Sequence, residues 1–433
     1  MPELAEPRAI LPSGPLTGIV RLPGDKSISH RYAMLGAVAE GVTEISGFAS
    51  SADCQSTLDC LRALGVRIQR DGSAVSIEGR GLDGLSASAK PLDAGNSGST
   101  MRMLAGILAG QPFSSRLTGD ASLSRRPMKR ILEPLALMAA HITSAAGGLP
   151  PLDIEGRVLD PIRYQPPVAS AQVKTAVLFA GLRVRGATSI YEPVPTRDHT
   201  EIALMEMGAA LTRKGGLTTL SGPARLTSLQ ANVPGDISSA AFFLAAALLV
   251  PGSNLILENV GLNPTRSAVV RVLVGMGGEI KTLNTRRAHG EEVGDVEVRH
   301  SALEGGEIPL EVIPNLIDEL PVLAVLGTQT HSGVSFHGAG ELRVKESDRL
   351  AAVAQNLRRL GAKVEEFQDG LQVAGQQRLS GAEVDSFGDH RIAMAFAVAG
   401  LVARGGVSIR DAGYVKISFP EFFDMLDQAR RPP

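Results

Sequence analysis

Tryptophan is absent from this chain and aromatic residues make up only 4% of it, which argues against the stacking platforms that hold single-stranded nucleic acid. An excess of one charge is missing too. The formal net charge is -2, so nothing draws the chain as a whole toward nucleic acid or an anionic membrane, and any cationic site must be local. Cysteine is scarce. The only two, Cys54 and Cys60, lie six apart in a helical stretch, which separates them around its circumference and argues against a metal pair or redox motif. They read as buried, inert thiols. Long apolar runs are lacking: Ala240 to Val250 and Ile392 to Ala403 fall short of the about 18 residues that a membrane span needs. The opening MPELAEPRAILPSGPLTG has neither the basic start nor the apolar core of a signal peptide. The expectation is a cytoplasmic protein without nucleic-acid or membrane partners.

What is plentiful is glycine and proline, 48 and 26 among 433 residues, with 44% apolar and 20% charged residues. That suits a soluble chain of two or three domains built from many short elements joined by turns.

One pattern recurs six times. A small or polar helix entrance followed by an apolar, Ala-rich run appears at Gly24-Asp25-Lys26-Ser27, Gly95-Asn96-Ser97-Gly98, Ser170-Ala171-Gln172-Val173, Gly235-Asp236-Ile237-Ser238, Ile317-Asp318-Glu319-Leu320 and Gly388-Asp389-His390-Arg391, at intervals of 65 to 82 residues. Each run leads to a β-branched strand: Val42 to Ser46, Arg116 to Thr118, Thr188 to Tyr191, Asn254 to Leu257, Val334 to Phe336 and Val407 to Ile409. A second helix then follows: Asp53 to Leu64, Pro127 to Ala140, Thr200 to Ala209, Ala268 to Gly275, Asp348 to Leu360 and Pro420 to Gln428. Gly65 and Gly361 supply left-handed stops after two of them. The unit reads strand, helix, strand, helix, strand, strand. Its period is too long for an ordinary solenoid, so two α/β domains of three units are expected, with a break near Asn232-Val233-Pro234. The strand-like piece Thr17 to Arg21 is expected to pair with the last domain, so that the chain crosses twice.

Chemistry collects at the entrances. Amides, hydroxyls, Lys26 and Arg31 meet at the first, where unpaired N-H groups and the helix dipole favour an anion, although plain capping is the common use of such a start. The second offers Ser97, Gly98, Ser99, Thr100 and Arg102, with Gly98 allowing close approach to the backbone, and continues to Arg125-Arg126-Pro127. The third offers Ser170, Gln172 and Lys174, followed by Arg197. His199 reads as a hydrogen-bonded structural residue. Such recurrence points to a polyanion site. The later entrances bring carboxylates: Asp318-Glu319 opens the fifth helix, and Glu346 stands between Lys345 and Arg349, where a carboxylate can serve as a base or pass a proton. Arg391 is a further anion ligand.

Taken in order, Pro23 to Arg31, Gly95 to Arg102, Ser170 to Lys174, Arg197 to Glu201, Arg343 to Arg349 and Asp389 to Arg391 resemble the 5-enolpyruvylshikimate-3-phosphate synthases, and Ala171, Lys174 and Arg197 resemble their class II bacterial subgroup. The resemblance covers about Leu16 to Phe423. It implies an enolpyruvyl transferase fold, α/β (α+β), with six βαβαββ repeats, three per domain around a pseudo-threefold axis. The first domain would be 22-234 and the second 1-21 with 235-433, with the active site in the cleft between them. The implied reaction moves the enolpyruvyl group of phosphoenolpyruvate to the 5-hydroxyl of shikimate 3-phosphate through a tetrahedral intermediate, releasing phosphate. No metal and no organic cofactor are implied.

By the same resemblance Lys26, Ser27, Arg31, Ser170, Ala171, Gln172, Arg197, Asp318 and Lys345 bind shikimate 3-phosphate. Lys26, Asn96, Gly98, Arg126, Gln172, Arg349, His390 and Arg391 bind phosphoenolpyruvate. Asp318, Glu346 and Lys26 carry catalysis. Glyphosate is expected to compete with phosphoenolpyruvate beside Gly98, and a monomer is expected. Two departures stand out. Ile417, not a lysine, precedes Ser418-Phe419-Pro420, with Lys416 one residue earlier, and Glu341 stands where one subgroup has an asparagine, so that contact is not carried over. The alternatives are a UDP-N-acetylglucosamine enolpyruvyl transferase, which typically has a reactive Cys or Asp in the loop corresponding to Gln111 to Arg130, where no Cys occurs here, and a non-catalytic phosphosugar-binding protein, which would not need Asp318 and Glu346.

Overall fold

A computed structural model describes residues 7-430; the first six and last three residues of the expected second domain lie outside that span. The chain divides into two compact units. One, called the first unit below, is Gly24–Val233 with Arg287–Glu291; the second unit is Met1–Pro23, Pro234–Arg286 and Glu292–Pro433. The chain therefore passes from one to the other at Pro23-Gly24 and at Val233-Pro234, as expected, and enters the first unit once more over the short stretch Arg287–Glu291.

Capping explains where the leading helices start. Asp25, Ser97, Ser170, Asp236 and Asp389 each accept a main-chain N-H two or three residues onward, satisfying a donor that the first turn leaves unpaired. The resulting helices, Lys26–Val38, Gly98–Ala109, Ala171–Gly181, Ile237–Leu249 and His390–Gly400, with Leu320–Gly327 in the fifth repeat, are buried on nearly every side. That burial is why they are Ala-rich and apolar all round. In the second unit each of its three leading helices packs on the other two, and in the first unit Gly98–Ala109 packs on both of its counterparts. The approach to Ala171–Gly181 requires Gly106, since a Cβ there would stand 2.1 Å from the Ala176 carbonyl oxygen.

Most of the second helices, among them Lys129–Leu137, Ala268–Gly275, Arg349–Arg359 and Phe422–Ala429, are amphipathic, whereas His199–Glu206 is buried along most of its length. Two end as expected: Gly65 and Gly361 take φ of +88° and +80°, and the amides of Val66 and Ala362 return to the carbonyls of Leu61 and Leu357.

Each of the first five repeats closes on a small sheet whose first strand runs parallel to its neighbour and whose last two form an antiparallel hairpin. In the first unit the sheets order Gln230–Asn232, Glu40–Ser46, Ala74–Arg80, Arg67–Asp71; then Leu92–Asp93, Ser114–Thr118, Leu149–Glu155, His141–Ala145; then Arg163–Tyr164, Gly186–Tyr191, Leu217–Gly222, Leu211–Lys214. The first sheet thus borrows its parallel strand from the end of the third repeat. The second unit does the reciprocal: Thr17–Arg21 pairs in parallel with Asn254–Gly261, as the sequence suggested. The sixth sheet has three strands, because the chain ends in a helix where a hairpin would follow; Arg8–Ile10 pairs antiparallel with Arg404–Arg410 instead. Each unit has one continuous apolar core. No helix among the described residues is long and apolar enough to cross a membrane.

Candidate active site

In the first unit the leading helices are tied together by their polar first turns. Arg31 is buried and spends its guanidinium on neutral oxygens: Nε donates to Thr200 Oγ1 at 2.7 Å, one terminal nitrogen to the Ser27 carbonyl at 2.8 Å and the other to Thr175 Oγ1 at 3.0 Å. Burial, and then the nearby Arg197 charge, push Arg31 down to about 10. Two guanidiniums held near each other, one in a dry setting, make a place that an anion stabilises. Lys26 reaches Asp53 at 2.8 Å, while its neighbour Ser27 is half-buried beside it. His30 lies wholly inside, bonded to Thr57 Oγ1 at 2.7 Å, and Thr57 continues to Thr100 at 2.6 Å and Thr100 to Ser97 at 2.8 Å. This chain of hydroxyls couples the first entrance to the second.

The second entrance gathers two more arginines. Arg126 donates to Asn96 Oδ1 at 2.6 Å and to Ser122 Oγ at 3.1 Å, and Asn96 in turn donates to Asp120 at 2.7 Å. Arg102 donates to Gln172 Oε1 at 2.8 Å, and Gln172 donates to Ser99 Oγ at 2.9 Å. Gly98 sits between the two guanidiniums: a Cβ there would lie 2.8 Å from one Arg102 nitrogen and 3.6 Å from one of Arg126. Ser170 caps the third helix, with Ala171 and Gln172 half-buried in its first turn. The structure therefore brings Asn96, Gly98, Arg126 and Gln172 into one cluster and joins Ser27 and Arg31 to the third helix through Thr175.

Two cations behave otherwise. The third entrance was read as offering Lys174, but that side chain turns inward, 1% exposed, between Glu192 and Glu201. His199 is buried and paired with Glu291 at 2.6 Å, the structural role expected of it.

The second unit has the opposite character. Arg349, 1% exposed, donates from Nε to Asp389 at 2.8 Å and from its terminal nitrogens to Glu346 at 2.6 Å and Asp318 at 3.3 Å. Burial would pull its pKa down, but Asp389, Glu346 and Asp318 hold it above the ordinary arginine value. Arg391 donates to the Asp318 carbonyl at 2.9 Å and lies 3.7 Å from its carboxylate. Asp318 and Glu346 remain partly exposed, with side chains 16% and 14% accessible, so both are fixed yet reachable. His390 is buried behind Asp389, which also caps the helix by accepting the Arg391 amide at 2.9 Å. Lys345 pairs with Glu341 at 3.0 Å, which gives the departure at position 341 a partner. Lys416 is exposed near the end of the short Ala412–Ile417 turn. The cysteines are buried and free, and burial pushes each thiol up to about 12.

Asp53, Arg102 and Asp389 were not singled out as site residues by sequence. Arg102 and Asp389 stand at the second and sixth helix entrances, and Asp53 is the acidic residue of a helix first turn; only the fold shows that Asp53 holds Lys26, Arg102 holds Gln172 and Asp389 holds Arg349. The first unit thus presents clustered cations and hydroxyls suited to phosphate and carboxylate groups. The second presents carboxylates locked around one buried guanidinium, suited to moving protons.

Comparison with known proteins bears on both halves. Residues 10–426 match the family described as EPSP synthase (3-phosphoshikimate 1-carboxyvinyltransferase). A 3-phosphoshikimate 1-carboxyvinyltransferase of Solibacter usitatus is 55% identical over 421 residues, 97% of this chain and 99% of the relative. One from Koribacter versatilis is 52% identical over 97% of this chain and 98% of the relative. Among solved structures, EPSP synthase from Acinetobacter baumannii superposes with a TM-score of 0.87 at 41% identity, covering 99% of each chain. The enolpyruvyl transferase NikO from Streptomyces tendae shares the fold, with a TM-score of 0.79 at 19% identity over 98% of this chain and 97% of that one.

Proposed function

Since the chain belongs to the EPSP synthase family, the 3-phosphoshikimate 1-carboxyvinyltransferases, we propose how its residues divide that reaction. The chain is a transferase of the shikimate pathway that moves the enolpyruvyl group of phosphoenolpyruvate to the 5-hydroxyl of shikimate 3-phosphate. The first domain, proposed at 22-234 and built on the first unit, holds the anions. Lys26, Ser27, Arg31, Ser170, Ala171, Gln172 and Arg197 take shikimate 3-phosphate, joined by Asp318 and Lys345. Lys26, Asn96, Gly98, Arg126 and Gln172 take phosphoenolpyruvate, joined by Arg349, His390 and Arg391. Fixed cations offset the repulsion between two anionic substrates, and exclusion of water around the reacting atoms would strengthen each of these contacts.

The observation that carries the catalytic assignment is the joint grip of Arg349 on Asp318 and Glu346, at 3.3 and 2.6 Å. One buried guanidinium sets two partly exposed carboxylates in fixed relation, as an acid-base pair requires. In the addition, the substrate 5-oxygen bonds to the central carbon of phosphoenolpyruvate as Asp318 accepts its proton, while Glu346, with Lys26, delivers a proton to the methylene carbon. In the elimination, Glu346 takes a proton back from the new methyl group, the carbon-carbon double bond re-forms as the carbon-oxygen bond to phosphate breaks, and phosphate departs with the proton that Asp318 had taken, which restores both carboxyl groups. Arg349 is held by carboxylates, so its contact with the donor would be made by a guanidinium already oriented by Asp389.

Glyphosate competing with phosphoenolpyruvate beside Gly98, a monomeric state and a cytoplasmic location complete the proposal. The test is phosphate release from phosphoenolpyruvate with shikimate 3-phosphate and, separately, with UDP-N-acetylglucosamine. Release only with the former supports this reading, and release only with the nucleotide sugar reverses it.

A further inference from the structure

We propose that Lys174, which need not touch substrate, is the residue that positions Arg197 against the helix bearing Ser170 and Gln172, and so sets affinity for the acceptor phosphate. This rests on the reading of Arg197 as a shikimate 3-phosphate ligand. Lys174 lies one turn beyond Ser170 and two residues beyond Gln172 on the Ala171–Gly181 helix, and its side chain is 1% exposed. Its ammonium donates to Glu192 at 2.6 Å and to the Thr196 carbonyl at 3.5 Å, and pairs with Glu201 at 2.8 Å. Those three acceptors use all three protons of an ammonium, the geometry that a lysine, as a flexible point charge, can satisfy.

The three acceptors bracket the segment that carries Arg197. Glu192 stands at its start, Thr196 immediately precedes Arg197, and Glu201 lies in the helix that follows. Thr196 is tied twice, since its hydroxyl also donates to the second Glu192 oxygen at 2.5 Å. On the far side Asp198 pairs with Arg213 at 2.8 Å. Apolar packing cannot supply this placement: Pro193, Val194 and Pro195 are exposed, and a recess of about 320 Å³ lined by Lys174, Glu192, Thr196, Glu201 and Arg213 lies alongside. The segment is therefore located by polar ties, of which Lys174 joins Glu192, Thr196 and Glu201 to the helix of Ser170 and Gln172, while the Thr175–Thr200 hydrogen bond at 2.6 Å anchors the helix that follows. A buried charge cluster gives weak net stability, but removing Lys174 leaves Glu192 and Glu201 uncompensated, so Lys174→Met is expected to lower stability as well as release the segment.

The experiment is a kinetic cycle on the full chain with Arg197→Ala, Lys174→Met and the double variant, reading KM for each substrate and kcat. The expected result is a rise in KM for shikimate 3-phosphate of about tenfold in each single variant, no further rise in the double variant, and KM for phosphoenolpyruvate and kcat within about threefold of the parent. Thr196→Val, which removes a tie without unpairing a buried charge, is expected to give a smaller rise in the same KM, and it carries the test if circular dichroism shows Lys174→Met unfolded. An unchanged KM in folded Lys174→Met or in Thr196→Val, or effects that multiply in the double variant, would overturn the positioning role. An unchanged KM in Arg197→Ala would instead overturn the ligand assignment beneath it, and the proposal with it.

Discussion

Arg349 donates a 2.6 Å hydrogen bond to Glu346, three residues earlier, and the same guanidinium also reaches Asp318 and Asp389. Arg349 is thus the cation on which three carboxylates of the second unit depend.

Replacing it with methionine removes the guanidinium that these three carboxylates share, with Arg391, 3.7 Å from Asp318, still in place. Arg349→Met is expected to lower stability by about 3–5 kcal/mol, the usual effect of breaking a buried pair, and to lower kcat even at temperatures where the variant stays folded. Denaturant unfolding and steady-state kinetics check both. A stable, active Arg349→Met variant would remove Arg349 from the centre of the site.

Gly98→Ala tests the donor side. The new methyl would press on the Arg102 guanidinium, the far end of a long side chain with several rotatable bonds, so folding should survive while the Arg102–Gln172 bond shifts. The expected outcome is a KM for phosphoenolpyruvate raised about threefold to tenfold, with weaker inhibition by glyphosate. Unchanged values for both would separate Gly98 from the donor site.

His30 gives a pH signature. Burial first, and then the Lys26 and Arg31 charges, hold its pKa well below the ordinary 6.5. The unfolded chain therefore binds a proton that the folded chain refuses, so the stability attached to His30 is complete above pH 6.5 and falls as the pH drops below it. His30→Gln is expected to flatten the stability curve below pH 6.5, removing a slope of up to about 1.4 kcal/mol per pH unit. Parallel curves for parent and variant would contradict the assignment.

Cys54 and Cys60, with thiols raised to about 12, should resist modification in the native state. Fewer than about one in ten should react with a thiol reagent at neutral pH, against both in denaturant. Rapid native labelling would show that one of them is exposed.

Much of this was legible in sequence because it is local. Caps such as Asp25, Ser97 and Asp389 are read by their own helix within three residues, and the entrances repeat, so six weak signals reinforce one another. Residues paired over long separations were not legible. His199 meets Glu291 from 92 positions away, and Arg349 meets Asp318 and Asp389 from 31 and 40. Lys174 shows the limit most clearly. At a helix entrance a lysine looks like an anion ligand, and only the fold, by placing Glu192 and Glu201 behind it, turns it inward. The borrowed strand Gln230–Asn232 is similar, since three residues carry too little pattern to reveal a partner near position 40.

The central claim is that the first unit binds and the carboxylates of the second react. Its most direct test is to measure turnover in Asp318→Ala and Glu346→Gln alongside calorimetric binding of shikimate 3-phosphate to each. The account predicts turnover reduced about a hundredfold or more with binding of shikimate 3-phosphate largely intact. Near-parental turnover in both variants would contradict it.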